Sequence, residues 1–147
     1  MNAKRAGVAG IVATIAVTAL WLVEPFLGLP KLAVGSMLSS FLAVATAYLP
    51  IWPEVGWGIH VVVGIGLALT YARWLADRLP GGAFSRGVSF GFLVFLAAQV
   101  TFMPLVGAGF FSRGDLPLLL GSLIGHLVYG VLVTVIYGGG SRRPGPA

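Results

Sequence analysis

The sequence predicts an all-α membrane protein with four transmembrane helices, and three observations carry that expectation. The chain has 147 residues, 58% hydrophobic and only 9% charged, with a mean hydropathy of +0.98. Soluble domains carry roughly 25% charged residues, so most of this surface is not meant for water. The second observation is length: four charge-poor segments each approach the ~20 residues a helix needs to cross ~30 Å of hydrocarbon. The third is basic-residue placement, which fits an even number of spans with both termini on the cytoplasmic side.

The first segment follows a short basic head, Met1 to Arg5, and runs through AGVAGIVATIAVTALWLV to Glu24-Pro25. Its apolar run is longer than the ~7–15 residues of a signal peptide, and no convincing cleavage site follows it. It is expected to be a retained span. Ala6, Gly10, Thr14 and Thr18 recur four apart and form a small-residue face suited to close helix contact.

Leu32 to Leu49 is apolar enough to span, but it carries Ser36, Ser39 and Ser40 and ends in LPIWP, where two prolines stop any helix. Charge decides its reading. If it does not cross, Lys4, Arg5, Arg73, Arg78, Arg86, Arg142 and Arg143 share one side, and only Lys31 and Arg113 lie on the other. That is the positive-inside pattern. Glu24, Glu54 and Asp115 then fall outside. The segment is read as a short extra helix, interfacial or packed on the outer face.

Gly56 to Trp74 is the second span, and Leu79-Pro80-Gly81-Gly82 is the turn after it. The third runs from about Phe84 to Pro104, with Gly87 and Gly91 as a GxxxG pair and Gln99 and Thr101 deep in the apolar run. Leu116 to Tyr137 is the fourth, about 22 residues without a charge. Residues 1–139 form one transmembrane domain, and 140–147 form a polar, glycine- and proline-rich tail expected to be disordered.

The second and fourth spans echo one another. His60 is followed by Gly64 and Tyr71, and His126 by Gly130 and Tyr137, at spacings of four and eleven in both. The first and third spans each close with Pro-x-x-Gly, at Pro25–Gly28 and Pro104–Gly107. Two helix hairpins in the same orientation, related by a pseudo-twofold axis along the membrane normal, would explain the echo. The tyrosines would lie ~16 Å deeper than the histidines, at the inner headgroup level.

His60 and His126 are the candidate site residues, and two readings compete for them. In one they are axial ligands of a b-type haem, with the glycines making room for the macrocycle. In the other they are buried histidines bonded to carbonyls, serines or Tyr129, and they hold helices together. Gln99 and Thr101 could meet a quinone or bond between helices. Glu24 could handle protons or end a helix. No zinc site is expected, because two histidines and Glu24 are too few ligands for a closed site. Cysteine is absent, which excludes disulfides and thiolate chemistry. The net charge of +5 is scattered at segment ends, so nucleic-acid binding is not expected. No nucleophile–base set or paired carboxylates are visible, and no enzyme activity is expected.

Met103-Pro104-Leu105-Val106-Gly107-Ala108-Gly109-Phe110-Phe111, followed by Gly125-His126-Leu127-Val128-Tyr129-Gly130, resembles a group of small bacterial four-helix membrane proteins known only as a domain of unknown function. The second span and the basic start fit the same group. The resemblance implies a four-helix inner-membrane fold and brings no site residues. With the small-residue faces, it frames the expected function: a non-enzymatic accessory subunit of a larger membrane assembly such as a respiratory complex, with a haem electron carrier or a small transporter as alternatives. The expected partners are the lipid bilayer and another membrane protein or a second copy.

Reporter fusions after Pro53 and after Arg143 test this topology. A periplasmic signal is expected from the first and a cytoplasmic signal from the second.

Overall fold

A computed structural model of the chain describes residues 1–28, 34–39 and 52–138. The 140–147 tail, Lys31, and Leu32 to Leu49 apart from 34–39 lie outside the described residues. The architecture is all-helical, and four described helices are long and apolar enough to cross a membrane.

Helix α1 spans Ala3–Val23. Asn2 caps it, its side-chain oxygen accepting the Arg5 N–H at 3.0 Å, so one of the orphan donors of the first turn is satisfied. A 3₁₀ turn, Glu24–Leu27, ends it, and Gly28 follows at φ 81°, a conformation glycine adopts without a steric penalty. Residues 34–39 form a short helix, α2, in the region expected to hold an extra helix after the first span. Its Ser39 hydroxyl donates to the Trp52 carbonyl.

Helix α3 runs Pro53–Thr70 and widens into a π-helical turn at Tyr71–Leu75. Helix α4 runs Ala83–Ala97, opens into a second π turn at Ala98–Phe102 and finishes at Met103–Leu105. Helix α5 is Leu116–Gly138. Asp115 caps it by accepting the Leu118 N–H at 3.1 Å.

Each hairpin closes on the glycine that follows a histidine by four. A Cβ at Gly64 of α3 would fall on Thr14 Oγ1 of α1, and one at Gly10 would lie 2.9 Å from the Gly64 carbonyl oxygen. A Cβ at Gly130 of α5 would meet the Gly87 carbonyl and the Gly91 backbone of α4. With no Cβ in the way, both helix pairs approach to backbone contact, which is how helices associate where hydrocarbon supplies no hydrophobic drive. Of the small row expected on α1, Ala6, Gly10 and Thr14 are buried, and Thr18 is half-buried.

The start of α1 and the close of α5 lie at one end of the bundle. Arg5 Nε donates to the Ile136 carbonyl at 2.8 Å, and the Asn2 N–H reaches the Tyr137 hydroxyl at 3.4 Å. The turn between α3 and α4 is there too: Arg86 Nη1 donates to the Ala76 carbonyl at 3.1 Å. Tyr71 and Tyr137, the paired tyrosines of the echo, meet edge-on with centroids 6.0 Å apart.

The packing departs from twofold symmetry. Helix α1 lies along both α3 and α5, and α5 lies along α4, but α3 and α4 have almost no backbone contact with each other. They touch near the basic end, where Tyr71 and Phe90 rings are 5.0 Å apart. Toward the other end a cavity lies between them, lined by residues of both.

The glycine contacts predict opposite outcomes for two substitutions, both readable as thermal unfolding in detergent. Gly130→Val drives a side chain into α4 backbone that cannot yield, and a loss of about 1–3 kcal/mol is expected. Gly66→Ala enters open space on a helix, where nothing lies within 4 Å of the new Cβ. It is expected to be neutral or to stabilise by up to about 1 kcal/mol.

Candidate functional site

The cavity has a volume of about 340 Å³ and brings together side chains from all five helices. Its size falls in the range of small-ligand sites, roughly 300–1,000 Å³. Most of its wall is aliphatic, from Val17, Leu38, Val63 and Val94, with Met37 and Met103 adding flexible apolar surface. The polar exceptions include His60 on α3 and His126, Ser122 and Tyr129 on α5, with Thr14 and Trp21 on α1. The two histidines singled out by the sequence therefore face one space.

His126 belongs to a line of polar groups built by three elements. The π turn of α4 carries Gln99, which is fully buried. Gln99 Nε2 donates to Ser122 Oγ at 3.1 Å, and Gln99 Oε1 accepts from the Ser112 hydroxyl at 3.1 Å. One turn further along α5, His126 Nδ1 lies 2.7 Å from the Ser122 carbonyl oxygen. A carbonyl only accepts, so Nδ1 carries the proton.

Ser112 reaches Gln99 because the loop before α5 winds the wrong way. Phe111, Ser112 and Arg113 have φ of 46°, 51° and 52°, and Gly114 follows at 81°. Left-handed geometry costs an L-residue roughly 1–2 kcal/mol. The turn exchanges that cost for a buried hydroxyl set on the amide oxygen of Gln99, which would otherwise lie unpaired in an apolar bundle.

His60 is held differently. Its ring stacks on the Trp21 indole, centroids 5.3 Å apart and planes 22° apart, with Trp57 on another side at 5.8 Å. Its Nδ1 is buried and has no hydrogen-bond partner, as is true of Trp21 Nε1 and Thr14 Oγ1. Tyr129 bonds to neither histidine, because its hydroxyl donates across the bundle to the Gly64 carbonyl at 2.5 Å.

Three glycines near the histidines are covered by neighbouring elements. Gly125 is covered by the Trp21 indole, Gly64 by Thr14, and Gly130 by α4. Thr101 is exposed on the outside of α4 and takes no part in the site. Glu24 is 1% exposed, and neither carboxylate oxygen has a hydrogen-bond partner. Among the described residues, no group of three or more His, Asp or Glu is placed to hold a metal ion.

Sequence reasoning reached His60, His126 and Gln99. It missed Trp21, whose indole fills Gly125, and Ser112, which sits in a Phe-Phe-Ser-Arg-Gly run with no helical period to give its direction. The one available signal for the latter was glycine density, with Gly107, Gly109 and Gly114 each at positive φ.

This chain belongs to DUF6789, a family of unknown function, whose model matches residues 1–146. No curated protein and no solved structure matches it.

Gln99→Leu tests the polar line. It leaves the hydroxyls of Ser112 and Ser122 without their shared partner, and a loss of about 1–3 kcal/mol in thermal unfolding is expected. Amide exchange should quicken at residues 110–114 first, because the strained turn loses the bond that holds it.

Proposed function

We propose that this protein is a non-enzymatic, multi-pass protein of the bacterial inner membrane that holds a small lipid-phase molecule within its bundle, as an accessory component of a larger membrane assembly. The observation that carries this reading is the separation of α3 from α4. It leaves an apolar cavity of about 340 Å³ at membrane depth, furnished with two imidazoles. A void of that size costs stability wherever nothing fills it.

Orientation follows from charge. Lys4, Arg5, Arg73, Arg78 and Arg86 gather at the end that holds the N-terminus, and that end faces the cytoplasm in this reading. Trp52 and Trp74 are exposed near opposite ends of α3, about 33 Å apart along a helix, which suits two headgroup belts. Support for a partner comes from α3 itself. Gly58, Val62 and Gly66 are exposed on its outer side, and nothing lies within 4 Å of a Cβ at either glycine. Small rows of this kind receive a neighbouring helix.

Bis-histidine haem is the second reading, favoured by the two imidazoles sharing one cavity. A transporter would need a continuous polar path, and Gln99, Ser112, Ser122 and His126 are tied to one another in a closed line.

Purification from native membranes in mild detergent tests the proposal. A specific small molecule in the organic extract and a co-purifying membrane protein are expected, with no Soret band. A strictly monomeric protein with no partner and no extractable molecule beyond bulk phospholipid would overturn it.

A further inference from the structure

We infer that the cavity recognises a neutral hydroxyl group on an otherwise apolar molecule, the hydroxyl accepting a hydrogen bond from His60 and donating one to His126. The inference rests on the binding role proposed above and specifies the chemistry of its ligand.

The argument is one of proton placement. A neutral imidazole carries a single N–H, and the partner of one nitrogen decides what the other presents. His126 commits Nδ1–H to the Ser122 carbonyl at 2.7 Å, so its Nε2 presents a lone pair. His60 is the reverse. Its Nδ1 is buried with no partner. An N–H sealed away without an acceptor is the costlier orphan, so the proton sits on Nε2, which becomes a donor. Both rings line the cavity. The two histidines thus offer one donor and one acceptor to the same space.

That complement selects among ligands. A carbonyl or ether oxygen can only accept, so it satisfies His60 and leaves His126 bare. A charged head is excluded by cost, because among the described lining residues there is no Asp, Glu, Lys or Arg to offset it. A hydroxyl satisfies both. Haem fits less well on the same grounds. A ligating imidazole needs its other nitrogen protonated and bonded, which His126 achieves and His60 does not. The hydroxyl could belong to a quinol-type ring or to the end of an isoprenoid chain. Both share an apolar body with a neutral donor–acceptor head.

The test uses the full chain in detergent or nanodiscs, with Trp21 and Trp57 fluorescence and thermal shift as readouts. Decylhydroquinone and geranylgeraniol supply the two sources of hydroxyl, and the dimethyl and methyl ethers of the same compounds are the controls. Saturable binding of at least one hydroxyl compound is expected, with its ether about tenfold weaker or worse. Whichever compound binds names the source. His126→Leu removes the acceptor and should weaken the hydroxyl compound by a similar factor while leaving the ether unchanged. The wild-type comparison of alcohol with ether needs no variant, so it decides the matter even if His126→Leu fails to fold. Equal binding of alcohol and ether would overturn the hydroxyl inference and leave the cavity's binding role standing. No binding of any of the four compounds would overturn both, as would a stoichiometric Soret band after expression with haem supplied.

Discussion

Backbone-to-backbone contact at glycine governs this bundle. In hydrocarbon, apolar side chains gain little by turning from lipid to protein, so helices stay together where their backbones can touch. Here that happens at Gly10 and Gly64 for the first hairpin, and at Gly87, Gly91 and Gly130 for the second. These contacts fix the distance and face of each helix pair. They also place His60 and His126 one helical turn above the contact, on the sides that look into the bundle. The histidines line a common space because the glycines four residues later are held.

The cavity follows from what those contacts leave undone. Helix α1 is small-faced on two sides and can pack on α3 and α5 together, with Ala9, Ala13 and Val17 buried alongside Ala6, Gly10 and Thr14. No such surface joins α3 to α4. Aromatic rings join them instead, Tyr71 on Phe90 near the basic end. Rings hold helices apart where glycines bring them together, and the wedge opens away from that contact. Two hairpins that echo one another in sequence therefore fold into an asymmetric bundle, and the asymmetry leaves the cavity.

Polar groups inside the bundle are treated in two ways. Gln99, Ser112 and Ser122 satisfy one another, at the cost of a left-handed turn and a π-widened helix. The satisfied line orders the wall behind His126 and fixes which of its nitrogens carries the proton. His60, Trp21 and Thr14 each keep a buried polar atom without a partner. Unmet hydrogen-bonding capacity beside an apolar void is costly when empty.

Much of the molecule was legible before any coordinates. Hydropathy and length determined four spans with ends near the observed ones, because a bilayer demands long, charge-poor helices. The His-x-x-x-Gly echo marked the two helices that carry the imidazoles, and Gly87 and Gly91 marked where α4 would be approached. Sequence could not tell how the hairpins meet, since an apolar helix offers hydrocarbon and protein much the same surface. Tertiary structure decided that α1 packs on α5 while α3 and α4 part, that the Trp21 indole covers Gly125, and that Ser112 turns inward to Gln99. It also decided which nitrogen of His126 carries the proton, because that depends on the Ser122 carbonyl beside Nδ1, and periodicity carries no record of it.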